Sequence, residues 1–365
     1  MVFNLRTYSF SESVEDDPTP PKSFCLKELR VATDNFRRDN VLAENVLRKV
    51  YRGHLADGSL VAIKSSVSSW GKEGFEVEVQ VGSAVSTHPN VLCLRGFCRT
   101  KKELLLVYPL MINNTLSYNL RHRPDRFVRP LDWTTCKRIA LGAARGLAHL
   151  HNQGSTKIMH RDICASNILL NAHFEAVIGG FPLAVIMHEG NVEEGNIEWL
   201  SFSSYSHRYE DAVTSIRGTR GFVAPEFLDT RKCTLKNDVF AYGNMLLELI
   251  SGQSNYELVV LADNENLSLE EWIDDIINRN ELGRVIDPNL QENFMEEEAE
   301  QVLRLALLCS HEDPSTRPEM SEVVRILESQ FLQRDPSSRS SWSQSECDST
   351  PYYSFPPSPP LGIAI

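Results

Sequence analysis

The sequence predicts an α+β fold of two lobes, a small strand-rich lobe and then a larger, mainly helical lobe. Three observations predict it. Asp57-Gly58 stands between the apolar runs VYRGHL and LVAIK, a strong hairpin signal. A second strand pair, VLCLRGFC and ELLLVYPL, flanks the polar stretch Thr100–Lys102. Beyond Tyr108 the apolar residues recur mostly at helical spacing.

The elements follow in order. Residues 1–23 include SESVEDDPTPP, acidic and broken by proline, and read as a flexible arm. The small lobe spans residues 24–110: a helix-like stretch over Leu26–Phe36, the two strand pairs, and a helix over Phe75–Val85 between them. The large lobe spans residues 111–330. Asp132 caps a helix whose Ile139, Ala143, Leu147 and Leu150 share one face, and Gly154 stops it. Another helix starts near Asp238 and carries AYGNMLLELI up to Gly252. Val302, Leu305, Ala306 and Cys309 stripe a third helix. The last starts at Pro318, with Met320, Val323, Val324 and Leu327 as its buried stripe. Residues 331–365 read as a disordered tail, since from Arg334 onward nine Ser and six Pro leave almost nothing to build a core.

Bulk properties exclude several classes. A formal charge of −12 argues against nucleic acid as a partner, because phosphate binding needs clustered Lys and Arg. Eight cysteines without a CxxC or a zinc-spaced His fit reduced thiols. There is no run of about 18 apolar residues, hence no expected membrane span. The start MVFNLRTYSF has neither a signal pattern nor a myristoylation glycine. The expected location is the cytoplasm, with peripheral association at the inner face of the plasma membrane open through a partner.

Eight segments stand in order over Phe24–Glu328: FCLKELRVATDNF, LADGSLVAIK, LRGFCRTKKELLLVYP, RIALGAARGLAHLH, FEAVIGGFPLA, RGTRGFVAPEFL, DVFAYGNMLLELISGQ and MSEVVRILE. Through them the chain resembles plant receptor-like Ser/Thr protein kinases, most nearly the somatic-embryogenesis receptor kinase group of leucine-rich-repeat receptor kinases. The likeness covers the intracellular portion of such receptors and implies the two-lobed protein-kinase fold, with a small five-stranded antiparallel lobe plus one helix and a large, mainly helical lobe.

The resemblance also implies a set of functional positions, and several have changed. In the stretch HRDICASNILLNAHFEAVIGGFPLA the catalytic-loop Asn is Asn167; the metal-binding Asp of D-F-G belongs thirteen residues on, where Gly180 stands. The glycine-rich loop ends at Val50, and its glycines are replaced by Ala43, Asn45 and Arg48. Arg48 either folds inward as a phosphate-binding cation or points to solvent. Lys64 of VAIK resembles the nucleotide-binding lysine, with Glu78 as its best partner and Glu76 as runner-up. That pair serves residual nucleotide contacts or only holds the small lobe together. Asp162 matches the catalytic acid–base residue and Asn167 a magnesium ligand, both vestigial, while Cys164 replaces the lysine that steadies the γ-phosphate. Pro182 replaces the D-F-G glycine. The only carboxylate after Asp162 and before His188 is Glu175, which sits on a hairpin away from the site.

Losing one charge-stabilising group typically costs ~10²–10³ in rate. With loop, lysine and metal acid all altered, a loss of at least ~10⁴ is expected even without additivity. Scaffold positions are retained: His160 and Arg161 with Asp238, Phe181 as a plug between lobes, and Glu226 with Arg317 as a buried ion pair. The long segment from Val185 to Ile216, rich in Glu and Ser, reads as a docking or phosphorylation loop or a solvated insert. FPPSPP reads as a polyproline ligand or a spacer.

The resulting expectation is a pseudokinase that regulates or scaffolds active receptor kinases, with no cofactor required, ATP binding weak and Mg²⁺ not expected. Two alternatives stay open: a weak unconventional Ser/Thr kinase using Lys64, Asp162 and Asn167, and a metal-independent nucleotide sensor using Lys64 and Arg48.

Overall fold

A computed structural model describes residues 21–44, 48–66, 69–121, 131–154, 156–188, 218–219, 221–230, 234–290 and 294–332. The small lobe runs β1 (Lys22–Ser23), α1 (Leu26–Ala32), β2 (Val41–Glu44), β3 (Arg48–His54), β4 (Leu60–Ser66), α2 (Ser69–Ala84), β5 (Gly96–Arg99) and β6 (Leu104–Pro109). The large lobe follows with α3 (Leu116–Arg121), α4 (Trp133–His151), β7 (Thr156–Met159), β8 (Ile168–Leu170), β9 (Ala176–Ile178) and β10 (Val185–His188). It ends with α5 (Pro225–Thr230), α6 (Leu235–Ser251), α7 (Asn255–Asp263), α8 (Leu269–Asn278), α9 (Glu296–Cys309) and α10 (Met320–Leu332).

The Asp57-Gly58 hairpin forms as expected. Gly58 takes φ +83°, and Asp57 Oδ1 accepts from Ser59 N at 2.9 Å. The sheet has the order β1-β5-β6-β4-β3-β2. It therefore holds the five antiparallel strands expected and a sixth: Lys22 and Ser23, which sequence assigns to the arm, pair parallel with Gly96 and Phe97. Two residues carry no periodicity, so pattern reading misses such a strand.

One face of the sheet buries Phe24, Leu29, Ala32, Val61, Ile63, Cys98, Leu105 and Val107 against α1. The other buries Phe75, Leu92, Leu94, Leu106, Tyr108 and Val177 beneath α2 and above the large lobe. Helix α1 is shorter than expected. Asp34, Asn35 and Phe36 all take positive φ, and the Thr33 hydroxyl closes the last turn on Leu29 O at 2.7 Å. Helix α2 is longer than expected, starting at Ser69 rather than Phe75. Gly71 and Gly74 hide its first turns, because an interior glycine disfavours helix by about 1 kcal/mol relative to alanine.

In the large lobe, Asp132 caps α4 by accepting from Thr135 N at 2.7 Å, and the helix ends at His151, before Gly154. Helix α6 starts a turn earlier than expected, on a capping box between Thr234 and Asn237, and ends at left-handed Gly252. Its residues are buried almost all round, as befits a central helix wrapped by α4 and α9. The expected stripe of α9 is buried, Val302, Leu305, Ala306 and Cys309. Of the α10 stripe, Met320, Val323 and Leu327 are buried while Val324 is only half-buried, and α10 starts at Met320 rather than Pro318. Trp133 Nε1 and Lys137 Nζ both donate to the buried carboxylate of Glu298, at 2.7 and 3.0 Å, tying α4 to α9.

Of the long segment expected from Val185 to Ile216, Val185–His188 form β10, paired antiparallel with β7. The acidic and Ser-rich positions 189–217, the arm up to residue 20, Asn45, and the tail with FPPSPP lie outside the described residues.

Candidate functional site

The site lies where the sheet's inner face meets the loops around β7, β8 and β9. Strand alternation places Val50 opposite Lys64 and Arg48 opposite Ser66, so Arg48, Val50 and Lys64 share a face. The intervening Tyr51 packs the other way, its ring 5.2 Å from Phe36. Lys64 Nζ is ion-paired with Glu78 on α2, which is 2% exposed. The Tyr108 hydroxyl donates to the second Glu78 oxygen at 2.5 Å. Burial, and then the Glu78 charge, push the Tyr108 phenol well above its ordinary range, so it stays a donor. Glu76, the runner-up, is instead paired with Arg99 at the exposed surface.

The loop bearing His160–Asn167 hangs from Asp238 on α6. Asp238 Oδ2 accepts from His160 N at 2.7 Å and Oδ1 from Arg161 N at 2.8 Å. Its Oδ2 also meets His151 Nε2 at 3.0 Å. Burial pushes the Asp238 carboxyl up, but the His151 hydrogen bond and the neighbouring charges outweigh it and hold the group low. His160 is fully buried; desolvation lowers its pKa, and its ring bonds Gly179 O at 3.0 Å and lies 4.9 Å from the Phe181 ring. The expected Glu226–Arg317 pair is present and bidentate, at 2.7 and 2.8 Å.

Asp162 is fully engaged. Its Oδ2 accepts from Asn167 Nδ2 at 2.8 Å, and its Oδ1 accepts from Thr219 N at 3.1 Å and Thr219 Oγ1 at 2.8 Å. Asn167 gives its second N–H to Asp162 O at 2.7 Å. Its oxygen is turned toward Gly180, where φ is +76°. A Cβ built at Gly180 would stand 2.7 Å from Asn167 Cγ, closer than real Cβ atoms approach. Cys164 is a buried thiol pushed up to about 11 by burial and then by Asp162. It is neutral at physiological pH. Glu175 bonds Asn171 Nδ2 at 2.9 Å within the β8–β9 turn, which keeps it out of the site.

Sequence reading identified Lys64, Glu78, Asp162, Asn167 and position 180; the fold pairs Lys64 with Glu78 and sets Asn167 between Asp162 and Gly180. It missed Tyr108 and Thr219. Both sat inside quoted segments, LRGFCRTKKELLLVYP and RGTRGFVAPEFL, but their partners lie 30 and 57 residues away.

The chain belongs to the protein kinase domain family, which it matches over residues 46–348. It is similar to the LRR receptor kinase SERK2 of Oryza sativa subsp. japonica, 41% identical over 315 residues that cover 85% of this chain and 48% of the relative. Two proteins of Arabidopsis thaliana, each named a "Probable LRR receptor-like serine/threonine-protein kinase", are 42% and 41% identical over 315 residues, with the same coverage. The chain thus spans about half the length of the curated relatives it matches. Among the described residues no helix is long and apolar enough to cross a membrane.

Proposed function

We propose that this kinase domain has given up phosphotransfer and acts as a regulatory or scaffolding partner of active receptor-like kinases in plant signalling. One observation carries the reading: position 180 offers no carboxylate, and the Asn167 carboxamide faces the place where one would start. A magnesium ion needs near-octahedral oxygen ligation, with at least one or two carboxylates in nucleotide sites. Here the donors are one amide oxygen and an Asp162 carboxylate whose two oxygens already accept three side-chain or backbone hydrogens. The residues present do not fit the metal. Cys164 adds no positive charge for a γ-phosphate. The intact scaffold contacts, Asp238 with the 160–161 backbone and Glu226 with Arg317, support a folded binding module. Active kinases as partners, and a cytoplasmic place beside a membrane receptor, are drawn from the names of the relatives.

A weak unconventional Ser/Thr kinase is the second reading, favoured by the retained Lys64–Glu78 and Asp162–Asn167 contacts. The metal-independent sensor is favoured by Arg48 and Lys64 sharing one face. Thermal shift with ATP, with magnesium varied, separates them. The proposal expects no magnesium-strengthened stabilisation and no labelling of the chain or of a generic substrate. Magnesium-dependent stabilisation, with labelling that Asp162→Asn abolishes, would replace it by the kinase reading. Stabilisation by ATP that magnesium leaves unchanged and Lys64→Ala removes would make the domain a sensor.

A further inference from the structure

We infer that α2 is fixed against the cleft by a seam of glycines, with Pro182 as its stop, so that the Lys64–Glu78 pair needs no bound nucleotide. Gly71, Gly74, Glu78 and Gly82 are spaced by three, four and four residues, which puts them on one helix face. Each glycine rests on a different part of the molecule. A Cβ at Gly71 would meet Ser66 Cβ of β4 at 2.8 Å; at Gly74, Pro182 Cβ at 2.8 Å; at Gly82, Leu94 Cβ at 2.6 Å. None of these positions has room for a methyl group. Glu78, between two of them, is held by Lys64 and Tyr108.

Glycine at these positions weakens the isolated helix, so what it contributes is close approach of the helix backbone. Pro182 supplies the opposing surface. Its ring fixes φ, and the preceding Phe181 is buried at 3% exposure with its ring 4.9 Å from His160. The contact therefore links α2 through Pro182 and Phe181 to the loop hung from Asp238. With no carboxylate at position 180 for a metal to bridge, a steric wedge joins the lobes at this point. The inference goes beyond the loss of phosphotransfer and does not depend on it.

Amide hydrogen exchange of α2 in the full chain tests the seam. Pro182→Gly is expected to speed exchange in α2 about tenfold while α6 stays unchanged; an unaltered α2 overturns the inference. Gly74→Ala is expected to speed α2 exchange in the natural background, despite the higher helix propensity of alanine. In the Pro182→Gly background the same change is expected to slow it. Slowing in both backgrounds overturns the seam. ATP, with or without magnesium, is expected to leave α2 exchange unaltered, and added protection overturns the claim that no nucleotide is needed. Labelling activity would sink the proposed function and leave this cycle untouched.

Discussion

Asn167 directs both N–H groups of its carboxamide to Asp162 and its oxygen to Gly180. One side chain thereby bonds the Asp162 carboxylate and occupies the approach to position 180. Restoring the carboxylate is therefore a structural problem as well as a chemical one.

Gly180→Asp is expected to destabilise the domain and not to create phosphotransfer. The new Cβ meets Asn167 Cγ at 2.7 Å, and the backbone at φ +76° strains a non-glycine residue. A cost of about 1–3 kcal/mol follows for such strain. Thermal melting together with a labelling assay checks it; full stability with magnesium-dependent labelling contradicts it.

Lys64→Met is expected to act on stability. It leaves the Glu78 carboxylate, 2% exposed, with Tyr108 as its one remaining side-chain partner among the described contacts. Breaking a buried pair from one side costs about 3 kcal/mol or more. Urea unfolding measures the loss. Lys64→Met with Glu78→Gln is expected to recover part of it, because the uncompensated charge is then gone.

Arg317→Ala is expected to be the most damaging substitution in the large lobe. The Arg317 side chain is 0% exposed, and its guanidinium bonds both Glu226 oxygens and the His311 and Glu312 carbonyls. Truncation removes all of these bonds and leaves the Glu226 carboxylate without its counter-charge, though Asn237 Nδ2 still donates to it at 3.0 Å; the cost is about 3–5 kcal/mol. The expected readout is a urea midpoint far below that of the parent chain.

Acid pH is expected to loosen the joint between the lobes through His88. Its ring stacks on His149 at 4.5 Å and accepts from Asn90 N at 3.1 Å. Burial, then His149 and Arg145, lower its pKa from 6.5 to about 4. The unfolded chain thus binds this proton first as pH falls. The stabilisation is complete above about 6.5 and is lost between there and about 4. Allowing for partial exposure, the loss is on the order of 2 kcal/mol. Comparing urea midpoints at neutral and acid pH checks this, and His88→Asn should shrink the difference.

Much of the fold was legible because it rests on local signals. The Asp57-Gly58 turn, the Asp132 cap and the buried stripe of α9 are each written within a few neighbouring residues. Position 180 was legible by counting along the chain from Asn167. What escaped was long-range or aperiodic. Nothing near Asp162 announces that Thr219 will hold it, and nothing near Tyr108 announces Glu78. Helix α2 was shortened in the reading because Gly71 and Gly74 oppose helix locally, and only tertiary contact with Ser66 and Pro182 explains them.

The two-residue strand β1 has a consequence for recruitment. Phe24 N donates to Phe97 O at 2.8 Å and Lys22 N to Arg95 O at 2.9 Å, so the rim of the sheet along β5 is occupied by the chain's own backbone. A visiting polypeptide that docks by adding a strand finds β5 taken, and meets the two-residue β1 at that flank or the longer β2, Val41–Glu44, at the opposite border.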